Sequence, residues 1–201
     1  MEHIFKASKA SKQTLLLLHG TGGNEYDLLD VAKMIEPHAN ILSLRGDVNE
    51  NGMNRFFKRL REGVFDEEDL VMRTKQMHQN IDDFAKRYDF SRDALTAVGY
   101  SNGANIAASL IFHYKDALKK AILYHPMVPI RNITLPNLNG VEIFITAGEN
   151  DPICPKSETE ELVSLLKDQG ASVEVMWTRN GHQLTRDEVD ASAKWLKERA
   201  S

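Results

Sequence analysis

Short apolar runs alternate along this chain with longer amphipathic stretches, and this alternation restricts the fold more than any other feature of the sequence. Several runs are apolar at successive rather than alternate positions, which is typical of strands buried on both faces. Strands separated by helices form a mostly parallel sheet covered on both faces. The pattern predicts an α/β fold with six strands at 14–19, 40–44, 94–99, 121–124, 141–147 and 172–177, and an antiparallel edge strand at 3–6.

The amphipathic stretches between these strands predict five helices, at 26–36, 66–88, 102–113, 156–169 and 185–199. Their ends carry recognisable signals. Pro37 follows the first helix, where a helix should stop. Asp66 is a suitable N-cap for the second helix, and Gly170 is a suitable C-terminal stop for the fourth.

Composition excludes several classes of protein. The chain has 201 residues, with 25 Lys and Arg against 29 Asp and Glu, so it lacks the basic excess of most nucleic-acid and membrane-surface binders. No apolar run approaches the roughly 20 residues that cross a bilayer, and the first residues do not form a signal peptide. The single cysteine, Cys154, has no disulfide partner in the chain. We expect one domain spanning 1–201, a cytoplasmic location, and a monomer or homodimer without nucleic-acid or membrane partners.

The sequence Gly99-Tyr100-Ser101-Asn102-Gly103 lies between a predicted strand and a predicted helix. It matches the G-x-S-x-G pattern, in which a sharp turn presents the central serine above the carboxyl ends of the strands. Glycines remove the Cβ atoms that would collide in such a turn. The pattern alone is common, but its position between strand and helix makes Ser101 the candidate nucleophile.

A serine hydroxyl needs a base, and in this arrangement an acid and then a histidine should follow the serine along the chain. Asp151, in Gly148-Glu149-Asn150-Asp151-Pro152 after the strand at 141–147, is the preferred acid, with Glu149 as its competitor. His182, after the strand at 172–177, is the predicted base. His125 also follows a strand, but it precedes Asp151 in the chain and is a poorer candidate.

The segment His19-Gly20-Thr21-Gly22-Gly23 follows the first long strand. Acyl transfer develops negative charge on the carbonyl oxygen of the substrate, and backbone N–H groups can stabilise it. The predicted donors are Asn102, which follows the nucleophile, and Thr21. The segment matches neither nucleotide-binding glycine pattern, so a phosphate loop is disfavoured. No metal site is expected, since no H-E-x-x-H-like spacing of ligands occurs.

These motifs together resemble those of the small carboxylesterase/phospholipase group of α/β hydrolases, which includes acyl-protein thioesterases and lacks a lid domain. The resemblance covers nearly the whole chain and implies the α/β-hydrolase fold, Ser101, Asp151 and His182 as a triad, and ester or thioester hydrolysis without a cofactor. Arg45-Gly46 and Asn54-Arg55-Phe56-Phe57 resemble a bacterial branch linked to quinone or hydroquinone resistance. Dienelactone hydrolases are also similar, but they place cysteine where this chain has Ser101.

The substrate is expected to be a small or medium acyl ester, aromatic esters included, because a site without a lid is open. The unusually long irregular segment at 45–65 is a candidate for binding it. Phe56 and Phe57 are predicted to wall the pocket and Arg55 to attract an acidic group, with core packing and solvation as the alternatives. A redox role for Cys154 is less favoured than a buried thiol. Acyl transfer to an acceptor other than water and ligand binding without catalysis are the alternative functions.

Overall fold

The computed structural model describes residues 1–199 of the chain and contains eleven strands and five α-helices within them. The strands are β1 (His3–Lys6), β2 (Thr14–Leu18), β3 (Asn40–Leu44), β4 (Val48–Glu50), β5 (Met53–Arg55), β6 (Arg59–Arg61), β7 (Val64–Phe65), β8 (Leu95–Tyr100), β9 (Lys120–Tyr124), β10 (Glu142–Gly148) and β11 (Ser172–Thr178). The helices are α1 (Leu29–Ile35), α2 (Glu67–Tyr88), α3 (Asn102–His113), α4 (Lys156–Asp168) and α5 (Arg186–Glu198).

Seven strands form one sheet in the order β1-β3-β2-β8-β9-β10-β11. All neighbours pair in parallel except β1, which runs antiparallel to β3 at the edge. The predicted α/β-hydrolase fold, with its mostly parallel sheet and helices on both faces, is confirmed. The carboxyl ends of β2, β8, β9, β10 and β11 therefore meet along one edge of the sheet, where ligands bind in folds of this kind.

The core is divided by the sheet into two apolar layers. One layer contains the inward faces of α2, α3 and α4, and the other contains those of α1 and α5. Successive residues of β2 point alternately into these layers, so Leu16 and Leu18 join the first while Leu15 and Leu17 join the second. This burial on both faces explains why the strand is apolar at every position.

The helices follow the predicted bounds closely, with one difference. The Asp66 side chain caps α2 by accepting from the Asp69 N–H, and α3 spans the predicted residues. The first helix begins at Leu29 rather than at residue 26. The Asn24 side chain accepts from the Tyr26 N–H at 2.8 Å and holds these residues in a turn, which delays the helix.

The predicted irregular segment at 45–65 contains two small antiparallel hairpins, β4–β5 and β6–β7. They stand beyond the carboxyl end of β3 and lead into α2. The stretch between β9 and β10 has neither helix nor strand, as its prolines predict. Within residues 1–199, the helices are all too short or too polar to cross a bilayer.

Candidate active site

The turn from β8 into α3 holds Ser101 in a strained backbone conformation, with φ 53° and ψ −110°. A residue other than glycine rarely adopts a positive φ, and such strain persists only where the surroundings enforce it. The Ser101 N–H donates to the Tyr124 carbonyl at 2.9 Å, which fixes the turn against the neighbouring strand. The side chain is thereby presented at the carboxyl edge of the sheet.

The two glycines of this turn are required by space. A Cβ on Gly103 would lie 2.0 Å from the Leu18 carbonyl oxygen, and one on Gly99 would lie 2.6 Å from the Gly103 carbonyl oxygen. Both contacts involve backbone atoms that cannot move aside without shifting a strand or a helix. The G-x-S-x-G pattern therefore reflects close packing of α3 on the sheet.

Ser101, His182 and Asp151 are joined by two short hydrogen bonds. The Ser101 Oγ lies 2.8 Å from His182 Nε2, and His182 Nδ1 lies 2.6 Å from Asp151 Oδ2. With the proton of the imidazole on Nδ1, His182 donates to the carboxylate and its Nε2 accepts from the serine hydroxyl. This is the geometry in which a histidine can take the serine proton.

The Asp151 carboxylate is buried and fully hydrogen-bonded. Its Oδ1 accepts from the N–H groups of Ile153 at 2.8 Å and Cys154 at 2.9 Å, and its Oδ2 faces two histidines. Burial raises the pKa of Asp151, but these hydrogen bonds outweigh burial and keep the pKa below its ordinary value. The competing acid, Glu149, instead forms an ion pair with Arg179 at the surface, at 3.0 Å.

A second buried carboxylate and a second histidine lie directly behind Asp151. His125 Nδ1 is 3.2 Å from Asp151 Oδ2, and its Nε2 is 2.6 Å from Glu188 Oε1. Sequence reasoning placed His125 near the site but gave it no role, and it missed Glu188. The only local signal was Thr185-x-x-Glu188, a capping box at the start of α5, which usually indicates nothing more than a helix start.

Two backbone N–H groups near Ser101 are free to donate. Within residues 1–199, neither the Thr21 N–H nor the Asn102 N–H has a protein acceptor. Thr21 follows β2, and Asn102 opens α3, so both donors lie at the same edge of the sheet as Ser101. Both residues also line the cavity that contains Ser101.

Residues 54–56 connect the loop that carries the Thr21 donor to the start of the helix that carries the Asn102 donor. The Asn54 carbonyl and side chain bond to Gly22 and Gly23 in the loop after β2, both at 2.9 Å. Arg55 Nη1 donates to Thr21 Oγ1 at 2.5 Å. The Phe56 N–H donates to Asn102 Oδ1 at 2.7 Å. The segment thus holds the loop after β2 and the first residue of α3 in a fixed relation.

Phe56 and Phe57 do not wall the cavity, contrary to the sequence-based prediction. They are 2% and 0% exposed and belong to the hydrophobic core beneath the loops. Phe56 packs against the His19 ring, and Phe57 packs edge-on against Phe65. Their large apolar surfaces gain more from burial in the core than from a partly hydrated pocket wall.

Arg55 lies at the cavity, but it is neither solvated nor free. Its side chain is 4% exposed and bonds to the Phe57 carbonyl at 3.0 Å as well as to Thr21, with Glu50 3.4 Å away. Burial lowers the pKa of Arg55 to about 10, with the nearby Arg59 adding to this effect. Two of its N–H groups, on Nε and Nη1, are therefore already used inside the protein.

The cavity at Ser101 has a volume of about 290 Å³. Its wall combines polar groups around Ser101 with apolar side chains of Met53, Phe65, Met127 and Ile153, and the β6–β7 hairpin forms one side. A cavity of this size fits a small ligand, and the apolar side chains would hold its hydrocarbon part.

Tyr100 supports the site from beside the nucleophile. Its hydroxyl donates to the His182 carbonyl at 2.7 Å, which ties the histidine loop to β8. A Cβ on Gly20 would lie 2.8 Å from the Tyr100 ring, so glycine at position 20 leaves room for this aromatic residue. Sequence reasoning missed Tyr100, because the middle position of G-x-S-x-G carries no fixed requirement.

Donor atoms of His125, Asp151 and His182 lie within 4.8 Å of one another, a spacing that a metal ion could use. The hydrogen-bond partners of these atoms argue against a metal site. Both ring nitrogens of His125 face carboxylate oxygens, an arrangement that suits N–H donors at both positions rather than lone pairs directed at a metal. The three side chains fit a hydrogen-bonded chain better than a metal site.

Cys154 is a buried thiol. It is 2% exposed, and its Sγ donates to the Pro126 carbonyl at 2.8 Å. Burial, together with the nearby Asp151 charge, raises the pKa of Cys154 to about 12. The reactive form of cysteine is the thiolate, which is scarce here at neutral pH.

Comparison with known proteins identifies the family and several similar chains. The model of the dienelactone hydrolase family matches residues 46–200. MhqD of Bacillus subtilis (strain 168) is 58% identical over 98% of each chain. The crystal structure of a Bacillus cereus carboxylesterase is 55% identical, covers 98% of this chain and 94% of its own, and has a TM-score of 0.97. A carboxylesterase from Mesorhizobium loti is 29% identical over 93% and 89%, with a TM-score of 0.89.

The expected resemblance to carboxylesterases is therefore confirmed, although the matching family model is that of the dienelactone hydrolases. The residue at the centre of the G-x-S-x-G turn of this chain is Ser101. The chain belongs to the dienelactone hydrolase family and is an α/β hydrolase related to bacterial carboxylesterases.

Proposed function

We propose that this protein is a serine carboxylesterase that acts through an acyl-enzyme on small or medium acyl esters, aromatic esters included, or on thioesters. The observation that carries this proposal is the hydrogen-bonded chain Ser101–His182–Asp151 ending beneath a cavity with two free N–H donors. A binding protein would have no need for a strained serine paired with a histidine and a buried carboxylate.

In the first half of the reaction, Ser101 Oγ attacks the carbonyl carbon of the ester while His182 Nε2 takes the hydroxyl proton. The N–H groups of Thr21 and Asn102 donate to the oxygen that becomes negative. Protonated His182 is stabilised by Asp151 and then gives its proton to the leaving alkoxide or thiolate. The alcohol or thiol departs, and the acyl group stays on Ser101.

In the second half, His182 takes a proton from water, and the hydroxide attacks the acyl-enzyme. The same N–H groups again stabilise the negative oxygen. Collapse of this intermediate breaks the bond to Ser101, which recovers its proton from His182, and the carboxylic acid leaves. Asp151 stays ionised throughout, as its fully hydrogen-bonded state favours.

The cavity supports the proposed range of substrates. Its volume of about 290 Å³ is at the small end of ligand pockets. Met127 and Ile153 give it apolar walls, and Phe65 offers an aromatic face. The relationship to the carboxylesterases of Bacillus cereus and Mesorhizobium loti points in the same direction.

The test is to incubate the wild type, Ser101→Ala and Ser157→Ala with p-nitrophenyl esters of increasing acyl length and with a fluorophosphonate probe. Ser157 is an exposed serine at the start of α4 and serves as the matched control. We expect hydrolysis and a mass shift with the wild type and Ser157→Ala, and neither with Ser101→Ala. Retained activity in Ser101→Ala would refute the assigned nucleophile, and an inert, folded wild type would refute the esterase proposal.

A further inference from the structure

His125 is the first residue after β9, and its backbone has a positive φ of 55°. Its N–H donates to the Thr146 carbonyl at 2.8 Å, and its side chain is fully buried. The reaction described above assigns it no step. A strained, buried histidine at the carboxyl edge of the sheet needs a physical account, because strain of this kind is retained where it serves a site.

Both ring nitrogens of His125 face carboxylates, Asp151 on one side and Glu188 on the other. A neutral imidazole would direct a lone pair at one of these oxygens and leave two buried carboxylates without a compensating charge, which is costly. The imidazolium donates to both. Burial lowers the pKa of His125, but the hydrogen bonds and charges of Glu188 and Asp151 outweigh burial, and the pKa lies above its ordinary value.

Glu188 is held as firmly as Asp151. Its Oε1 accepts from His125 and from the Thr146 hydroxyl at 2.7 Å, and its Oε2 accepts from the N–H and hydroxyl of Thr185 at 2.7 and 2.8 Å. Glu188 is 0% exposed. An ordinary capping-box glutamate lies at the surface, so burial against His125 points to a second role for this residue.

The charged and titratable groups that face His125 are Asp151, Glu188, the His182 ring at 5.3 Å and the Tyr100 ring at 6.2 Å. With His125 as an imidazolium, the cluster carries a net charge of −1 before the reaction. It becomes neutral when His182 takes the proton from Ser101. Without the charge of His125, His182 would face two uncompensated carboxylates.

We propose that His125 is a positioning residue that, as an imidazolium between Asp151 and Glu188, fixes the Asp151 carboxylate on His182 and offsets the charge of Glu188. The inference rests on the proposed esterase function for its kinetic consequence. Neutral His182 is the form that accepts the serine proton. By cancelling one carboxylate, His125 leaves a single uncompensated carboxylate facing His182.

The first test measures the charge of His125 without any substrate. We would label the wild type with ¹⁵N-histidine and record the ring nitrogens by NMR at pH 7.5, assigning His125 by the signals that disappear in His125→Gln. Two protonated ring nitrogens on His125 would support the proposal. A single protonated nitrogen at this pH would overturn it, whatever the activity of the protein.

The second test measures the pH dependence of kcat/KM in His125→Gln, with His113→Gln as the matched control. His113 lies at the end of α3, where it bonds to Ser109. We expect the acidic limb of the profile to move upward by about one pH unit in His125→Gln, because loss of a positive charge favours protonated His182. We also expect kcat to fall roughly tenfold to a hundredfold, as when an orienting group behind a functional ligand is lost.

A fall in kcat alone, with the acidic limb in place, would indicate a structural role only and would overturn the charge argument. An equal shift in His113→Gln would overturn it as well. If the wild type hydrolyses no ester, the proposed function fails, but the NMR measurement still decides the charge of His125. Failure of the esterase proposal and failure of the His125 proposal can therefore be told apart.

Discussion

His19 and His125 occupy equivalent positions on the two sides of the site, yet their hydrogen-bond partners favour different charge states, neutral for His19 and positive for His125. Each is the first residue after a parallel strand, and each is 1% exposed. His19 Nδ1 donates to the Gly20 carbonyl at 2.6 Å, while its Nε2 accepts from the Gly46 N–H at 3.0 Å, which requires a neutral ring. His125 faces two carboxylates and requires a charged one.

The pKa of each histidine follows from these partners. Burial lowers the pKa of His19 below its ordinary value, since its partners are neutral backbone groups that do little to favour the charged form. The pKa of His125 is raised, because two carboxylates outweigh burial. The histidine on the side of the Thr21 and Asn102 donors (the N–H side) is thus held by neutral backbone groups, and the histidine on the side of Asp151 (the acid side) is held by carboxylates. The two sides should respond differently to substitution and to pH.

The largest effect is expected from Asp151→Asn on the acid side. The uncharged amide cannot stabilise the His182 imidazolium, and its NH₂ group can hold the imidazole in the wrong tautomer, so kcat should fall about 10³- to 10⁴-fold in a steady-state ester assay. Glu149→Gln is the matched control, because Glu149 pairs with Arg179 at the surface. A larger loss in Glu149→Gln than in Asp151→Asn would show that the wrong acid has been chosen.

A smaller loss is expected from Arg55→Lys on the N–H side. Lysine keeps the positive charge but cannot bond to Thr21 Oγ1 and the Phe57 carbonyl together, so the loop that carries the Thr21 donor loosens. We expect kcat/KM to fall on the order of tenfold for acidic and neutral esters alike.

The control for Arg55→Lys is Arg59→Gln. Arg59 lines the same cavity, and 29% of its side chain is exposed. A loss in Arg55→Lys confined to acidic esters would instead support the direct attraction of a substrate carboxylate that the sequence suggested.

The pH dependence of stability should separate the two histidines by sign. The raised pKa of His125 means that its contribution is full below about pH 6.5, the ordinary pKa of histidine, and is lost as the pH rises through its folded-state pKa. The lowered pKa of His19 means the reverse, because the unfolded chain binds the proton first as the pH falls below about 6.5.

Urea unfolding of the wild type, His125→Gln and His19→Gln at pH 5.5 and 8.5 would test this prediction. The stability gap between wild type and His125→Gln should be wider at pH 5.5, and the gap between wild type and His19→Gln should be wider at pH 8.5. The same trend for both variants would contradict the assigned charge states.

The smallest effect is expected from Cys154→Ala, which keeps the backbone N–H to Asp151 and removes only a buried thiol. We expect kcat to stay within about twofold, and iodoacetamide to leave the folded wild type unmodified, because the pKa of Cys154 is raised to about 12. Rapid alkylation accompanied by loss of activity would show that the thiol is accessible and matters to the acid side.

The seven strands of the main sheet were predicted to within one or two residues because the apolar pattern of a strand is local, whereas the four short hairpin strands at 48–65 were not predicted. β2 is apolar at four successive positions, and its bounds follow from those residues alone. The first helix was predicted three residues too early, since the Asn24 turn imitates the start of a helix in composition. His125 was judged a poorer base because it precedes Asp151 in the chain. Its distance from Asp151, however, depends on which strands are neighbours in the sheet and not on their order in the chain.

The sequence by itself determined where the strands end, and therefore which side chains the parallel sheet collects at one edge: Ser101, Asp151, His182 and the loop after β2. Only the tertiary structure decided what each group does there. Phe56 and Phe57 lie in the core, Arg55 supports Thr21, and His125, one of two similarly placed histidines, lies between two carboxylates. Strand periodicity acts between neighbours in the chain, whereas burial and charge depend on partners that folding brings from far along it.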